Sequence, residues 1–335
     1  MEYIPFGNTG LTVSRVGFGG IPIQRIDAEG TAALFKKLIE CGVNYVDTAR
    51  GYTVSEEYIG CAIDKLGCRD KLYLATKSMA ADRDAMAADI EKSLNNLRTD
   101  YIDLYQLHNP GMAKLEKILA PGGALEALLE AKSAGKIGHI GLTCHGLDVF
   151  EKALELDFVE SIMFPYNIVE SQGKELVKKC RDCGKAFVAM KPFAGGAIED
   201  GGAAMRYLLT DPNVTVIIPG MFREEEIAEN TSFGSEPLTE DEVARIEKIR
   251  STLTGNFCRR CNYCAPCTVG IQIPSVFLFE GYLERYGLED WARGRYAGLS
   301  VKAGECIECG LCEDRCPYHL PIREMMRHAA EAFGE

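Results

Sequence analysis

From residue 16 to about residue 230 the chain alternates between two rhythms. Short apolar runs with β-branched residues pass through polar turns into longer stretches where apolar residues recur every three or four positions. The first rhythm marks buried strands and the second amphipathic helices. The runs predict eight strands: Val16 to Gly19, Tyr45 to Asp47, Leu72 to Lys77, Ile102 to His108, His139 to Thr143, Ser161 to Pro165, Ala186 to Met190 and Val214 to Ile218. Between them lie helices such as Asp82 to Leu97, where Ile90, Leu94 and Leu97 share a face and Asp82 is placed to cap the N-terminus. Eight such strand and helix pairs predict an α/β fold of the closed (β/α)8 TIM barrel type, which needs roughly 250 residues. An open doubly wound sheet fits less well, because no Gly-x-Gly-x-x-Gly follows the first strand.

Two further segments flank this pattern. Tyr3 to Phe6 and Leu11 to Ser14 surround Asn8-Thr9-Gly10 and predict a hairpin that could plug the barrel floor. Thr239 and Glu242 are spaced as a capping box for a helix running to Leu253. The chain then changes character near Gly255. Cys258 to Pro274 and Cys306 to Pro321 each run from a cysteine group to a proline, and an apolar helical stretch follows each, Val276 to Tyr286 and Ile322 to Ala332. The reading is a barrel over 1-254 and a small, two-fold repeated, mostly α-helical domain over 255-335. In that domain Phe277, Phe279, Tyr282, Tyr286 and Trp291 read as a small core.

Composition narrows the possibilities. With 47% hydrophobic and 26% charged residues among 335, the chain is ordinary globular material and not a disordered one. No apolar run is long enough to cross a bilayer and no secretory signal pattern opens the sequence, which predicts a cytoplasmic protein without a membrane partner. The net charge of -12 disfavours nucleic acid as a partner.

Of 14 cysteines, eight fall in the last 81 residues. Cys258, Cys261, Cys264 and Cys267 form C-x2-C-x2-C-x2-C, and Cys306, Cys309, Cys312 and Cys316 form C-x2-C-x2-C-x3-C followed by Pro317. Three thiolates in successive tight turns wrap one corner of an iron-sulfur cubane, and the fourth commonly serves the other cluster of a pair. The expectation is two [4Fe-4S] clusters. By analogy with two-cluster ferredoxins, Cys258, Cys261 and Cys264 pair with Cys316, and Cys306, Cys309 and Cys312 pair with Cys267. Two zinc sites are the alternative, although zinc motifs usually present cysteines in separated pairs. The remaining cysteines read mostly as small buried hydrophobes, with Cys144 at a strand end.

Catalytic side chains in such barrels come from the C-terminal ends of strands. Asp47, Lys77 and His108 lie at three such ends, with Tyr52 in the loop after the second strand. This set suits carbonyl reduction. Tyr52 would protonate the developing alkoxide, Lys77 would lower the tyrosine pKa with Asp47 as its counter-ion, and His108 would orient the carbonyl oxygen. A structural ion-pair network is the alternative reading.

The segments Asp47-Thr-Ala-Arg-Gly-Tyr52, Ser55-Glu56-Glu57-Tyr58-Ile59-Gly60, Ala75-Thr76-Lys77 and Asp103-Leu-Tyr-Gln-Leu-His108 resemble the signatures of the aldo/keto reductase superfamily. So do Pro165-Tyr166-Asn167, Ile218-Pro219-Gly220 and Glu229-Asn230. With the tail added, the whole chain is similar to the iron-sulfur, ferredoxin-tailed branch. That resemblance implies an oxidoreductase using a nicotinamide held at the rim, with Asp47, Tyr52, Lys77 and His108 in the roles above.

The implied cofactor pocket departs from the family pattern. Thr143, Cys144 and Met163 stand where a Ser-Asn pair and a Gln hold the carboxamide, and Met190 stands where an aromatic ring stacks on the nicotinamide. Gly220, Met221 and Glu226 replace the Lys, Ser and Arg that commonly grip a 2'-phosphate, while Asn230 keeps its place. Repulsion by Glu226 predicts NADH over NADPH if NAD(H) is used. The leading expectation is reduction of a small-molecule carbonyl substrate. A ferredoxin-driven, nicotinamide-independent reductase, with a ferredoxin or other redox protein as partner, is one alternative. A non-catalytic electron-transfer or interaction subunit is another.

Overall fold

The structure, a computed structural model, describes residues 1–253, 257–259, 262–284 and 289–335, with the backbone alone at Trp291. It divides into two compact units, Met1–Ala194 with Ile198–Glu247, and Gly195–Ala197 with Lys248–Glu335. The compositional boundary at 254/255 lies outside the described residues, and the division falls instead at Lys248, inside the helix Glu240–Leu253.

In the first unit β1 (Tyr3–Pro5) and β2 (Thr12–Ser14) form an antiparallel hairpin. Eight parallel strands follow, each bonded to the next: β3 (Phe18–Gly19), β4 (Tyr45–Asp47), β5 (Tyr73–Ser78), β6 (Ile102–His108), β7 (Ile137–Thr143), β8 (Ser161–Pro165), β9 (Ala186–Met190) and β10 (Val216–Ile218). The ring closes where Gly17 N donates to Ile217 O and Ile217 N to Arg15 O, both at 2.8 Å. Helices alternate with the strands, as the (β/α)8 reading requires.

Alternation along the strands sorts side chains into two cores. Val46, Leu74, Tyr105 and Leu107 belong to the layer between strands and helices. Tyr45, Ala75, Leu104, Met163, Val188 and Val216 fill the barrel interior. Phe6 and Val13 of the hairpin segment join that interior cluster, each fully buried, so the hairpin plugs the barrel. Period two then puts Asp47, Lys77, Gln106 and His108 on the interior side, toward the C-terminal strand ends.

Local signals hold the helices in place. Asp82 accepts from Ala85 N at 3.0 Å and starts the helix Arg83–Leu97. Thr239 and Glu242 exchange the reciprocal bonds of a capping box. The helix Ser55–Leu66 meets Arg83–Leu97 so closely that a Cβ at Gly60 would lie 2.1 Å from Asn96 O, so only glycine fits.

The second unit has its own core. Ile273, Val276 and Phe277 pack with Leu320, Ile322, Met326 and Ala329, joining the helices Ile273–Glu284 and Ile322–Phe333. Tyr296 stacks on Phe333 with ring centroids 3.8 Å apart. Lys302 Nζ donates to the carbonyls of Tyr296, Ala297 and Leu299, closing the end of the helix Glu289–Ala297.

Candidate active site and cysteine cavities

The loop after β4 carries Tyr52 and is tied down at several points. Thr48 N donates to Ala75 O and Arg50 N to Lys77 O. The Ser55 hydroxyl lies 2.8 Å from that of Thr48 and 3.0 Å from Gly20 O. Behind the loop, the fully buried Glu56 pairs with Arg50 and accepts from Thr76, Ser93 and Asn96. A buried carboxylate with this many donors is satisfied, and it fixes the segment that presents Tyr52.

Lys77 Nζ lies 2.5 Å from Asp47 Oδ2 and donates to Thr48 O at 2.7 Å. Gln106 Nε2 donates to the other Asp47 oxygen at 3.0 Å. Both charges are nearly inaccessible to water. Burial disfavours each of them and is the largest single influence at Lys77, but Asp47 and Tyr52 together outweigh it and raise that pKa. At Asp47 burial outweighs the attraction of Lys77 and raises the carboxyl pKa. With an ammonium and an amide donating to it, the carboxylate remains the charged partner at neutral pH.

Lys77 Nζ sits 5.0 Å from the Tyr52 ring centroid, and the Tyr52 and His108 rings meet edge to face at 6.0 Å. The structure thus brings together the four residues singled out in the sequence. It corrects one expectation about them, because burial raises the Tyr52 pKa and outweighs the opposing effect of Lys77. Tyr52 therefore holds its proton more firmly than a free phenol. Burial, with Lys77 and Lys114, lowers the His108 pKa to about 3, so this imidazole is neutral.

The residues expected in a cofactor pocket sit on or after strands β7 to β10, where Thr143 is the register partner of Met163 and Cys144 N donates to Met163 O at 3.0 Å. Met163 is buried in the barrel interior, and Met190 packs there while staying partly exposed. Thr143 Oγ1 accepts from Asn109 N at 3.0 Å. Cys144 does not support a cofactor role, because it is fully buried in the layer between strands and helices, where Cys180 and Asp148 act on it. Gly220 is exposed, and a Cβ there would meet Pro22 Cγ at 2.7 Å, which accounts for glycine at this position. Met221 is buried in the core and Asn230 lies on the helix Glu224–Ser232.

Glu226 does not stand as a free repelling charge. It accepts from Phe222 N and Arg223 N and pairs with the Arg223 guanidinium at 2.7 Å, forming that helix's cap. A carboxylate neutralised in this way exerts little repulsion on a 2'-phosphate, so the argument for NADH over NADPH loses its basis.

Three polar residues near the tetrad escaped the sequence reading. Gln106 precedes His108 by two positions on β6, and period two alone could have found it. His145 Nδ1 lies 2.9 Å from Asn109 Oδ1, and its Nε2 lies 3.0 Å from Lys191 Nζ. His145 and Lys191 follow β7 and β9, where no short motif marks them.

In the second unit the cysteines line two cavities. One is walled by Cys267, Cys306, Cys309 and Cys312 with Val269, Ile271 and Met326. The other is walled by Cys258, Cys264 and Cys316 with Arg259, Phe277 and Leu320, while Cys261 lies outside the described residues. Each cavity offers thiols from both motifs in an apolar shell, a donor set that suits an iron-sulfur cubane. Thr268 Oγ1 lies 3.4 Å from Cys309 Sγ, and this hydrogen bond is the main cause of a lowered Cys309 pKa.

Family comparison places these observations in context. The model of the aldo/keto reductase family matches residues 15–202 and 201–251. The chain belongs to this family. A model of the 4Fe-4S dicluster domain matches residues 257–321, so this aldo/keto reductase carries an iron-sulfur tail.

Among curated relatives, aldo-keto reductase YhdN of Bacillus subtilis is 31% identical over 194 residues, covering 53% of this chain and 57% of that protein. L-galactose dehydrogenase of Arabidopsis thaliana is 24% identical over 74% of this aldo/keto reductase and 94% of its own length. The NADH-specific methylglyoxal reductase of Escherichia coli is 28% identical over 59% of this chain and 69% of its own. The holo form of aldo-keto reductase AKR11C1 from Bacillus halodurans superposes with a TM-score of 0.65 at 24% identity, covering 74% of this chain and 96% of that one. Its likeness establishes the barrel fold.

Proposed function

We propose that this aldo/keto reductase reduces an aldehyde or ketone in the barrel and that its tail holds two [4Fe-4S] clusters. The observation that carries the first part is the buried Asp47 and Lys77 pair beneath Tyr52, beside a neutral His108. A bound nicotinamide would supply the hydride, held by Met190 and Thr143 near the strand ends and by Gly220 and Asn230 beyond β10. His108, as a neutral donor, orients the carbonyl oxygen without adding a charge of its own. Tyr52 delivers its proton to that oxygen as negative charge develops there. Lys77 then stabilises the phenolate left behind, and Asp47 keeps Lys77 charged. The names of two relatives, a methylglyoxal reductase and a sugar dehydrogenase, agree with carbonyl and alcohol chemistry.

The clusters would be held by Cys258, Cys261, Cys264 and Cys316, and by Cys306, Cys309, Cys312 and Cys267. They would supply one-electron transfer. The match of the tail to a dicluster domain favours a second reading, in which a ferredoxin or similar redox protein delivers electrons and the tetrad delivers protons.

One experiment separates these readings. The cluster-loaded protein is titrated anaerobically with NADH and NADPH by nicotinamide fluorescence, and Tyr52→Phe is assayed beside it. The expected result is nucleotide binding in both proteins and a loss of turnover of roughly 100-fold or more in the variant. Absence of binding with turnover driven by reduced ferredoxin selects the second reading. Unchanged turnover in Tyr52→Phe refutes catalysis by this tetrad.

A further inference from the structure

We propose that Gln106 is a positioning residue for the reaction, its amide holding the Asp47 carboxylate in line with Lys77 so that Lys77 stays beside Tyr52; this rests on the barrel being a carbonyl reductase. Gln106 lies on β6, two residues before His108, and is fully buried. It is the register partner of Lys77 on β5, so the two side chains leave their strands at one level of the barrel interior.

The two oxygens of Asp47 have different donors. Lys77 Nζ holds Oδ2 at 2.5 Å and Gln106 Nε2 holds Oδ1 at 3.0 Å. A carboxylate only accepts, so the amide turns its N–H toward Asp47 and its orientation is fixed by chemistry. With both oxygens held, the carboxylate cannot turn without losing a charge-assisted hydrogen bond. Lys77 takes its place from this carboxylate and from Thr48 O, and from there its ammonium sits 5.0 Å from the Tyr52 ring centroid. Donation by Gln106 also favours the charged form of Asp47, against the burial that raises its pKa.

The other end of the amide separates this role from simple packing. Gln106 Oε1 is buried and has no hydrogen-bond partner among the described residues. An orphaned acceptor is costly in an interior that Leu104 and Met163 help to fill, and an apolar side chain of the same length would carry no such cost. What the amide gains in exchange is the bond to Asp47. The neighbouring strand makes room for it. A Cβ on Gly141, the register partner of Gln106 on β7, would lie 3.0 Å from Gln106 Cγ and 2.5 Å from Ser161 Oγ. Glycine at 141 therefore leaves Gln106 the space in which its side chain reaches Asp47.

The test uses the full-length, cluster-loaded protein with 4-nitrobenzaldehyde, and with NADH, NADPH or dithionite-reduced ferredoxin as the electron source. Gln106→Met keeps the length of the side chain and removes the donor. It is expected to lower kcat by about tenfold or more while KM stays within about twofold of wild type. Gln106→Asn, polar but one methylene too short to reach, should lose as much. In an Asp47→Ala background the amide has nothing to hold, and there Gln106→Met should change kcat less than about twofold, whereas a packing defect slows both backgrounds alike. Matching circular dichroism and iron content across the variants shows that folding is intact. An equal loss in both backgrounds overturns the proposal, and so does a wild-type kcat in Gln106→Met. If the wild type reduces the aldehyde with none of the three electron sources, the carbonyl reductase reading fails, while urea unfolding still decides whether Gln106 holds Asp47. Gln106→Met should then raise the unfolding constant about tenfold more in the wild type than in Asp47→Ala, and equal effects overturn the positioning.

Discussion

Burial, more than charge pairing, sets the protonation states of Tyr52 and His108, two of the four candidate catalytic residues. The sequence placed Lys77 beside Tyr52 and so predicted a lowered phenol pKa, but it does not show how much water each group loses on folding. In the structure desolvation raises Tyr52 and depresses His108 to about 3. Both groups are then in their neutral, proton-bearing forms at pH 7. The His108 shift has a thermodynamic consequence. Its folded pKa is depressed below the unfolded value of about 6.5, so the unfolded chain takes up a proton that the folded one refuses. Stability from this residue is full above pH 6.5 and declines as pH falls toward 3. His108→Gln removes the effect. The stability difference between wild type and variant, from urea unfolding followed at the barrel's aromatic signal, should shift against the wild type by ~2 kcal/mol between pH 6.5 and 5. A constant difference across that range means that the His108 ring is solvated.

At the scale of elements the strands were legible because a buried parallel strand is a short apolar run, and all eight runs appear as strands with ends shifted by two residues or fewer. Asp82 and the Thr239 and Glu242 pair were legible because a helix cap is local chemistry. Contacts between distant elements were not legible. Glu226 read as a repelling charge until Arg223 and two backbone donors were found on it, and Glu56 read only as part of a motif. The role of Glu56 is nonetheless large. It joins the loop carrying Tyr52, through Arg50, to β5 through Thr76 and to the helix Arg83–Leu97 through Ser93 and Asn96. Removing one partner of a buried, hydrogen-bonded pair leaves the other uncompensated, at a cost of about 3–5 kcal/mol. Glu56→Ala should therefore lower chemical stability by that order, and it should reduce kcat by loosening the segment that presents Tyr52. A variant with wild-type stability and turnover would show that the loop holds Tyr52 without this network.

For the whole molecule, the separate cores of the two units argue that unfolding is not a single transition. The way the tail's thiols are shared between cavities ties the two cysteine motifs into one fold. Cys267 comes from the first motif but lines the cavity of Cys306, Cys309 and Cys312, while Cys316 comes from the second and lines that of Cys258 and Cys264. Under the proposed ligation neither motif completes a cluster alone, so each cluster would brace both halves of the tail. Paired substitutions separate the crossed arrangement from one in which each motif keeps its own cluster. Cys267→Ser with Cys309→Ser damages one site if the ligands cross, and both sites if they do not. The crossed reading predicts that this double variant, reconstituted anaerobically, retains about four irons per chain and one EPR-active cluster. Cys258→Ser with Cys267→Ser predicts the reverse, with damage to both sites under crossing and to one without it. Iron contents that follow the uncrossed pattern in both variants would mean that the two motifs act as independent sites. The shared core of Ile273 and Ile322, which line both cavities, would then be the main link between them.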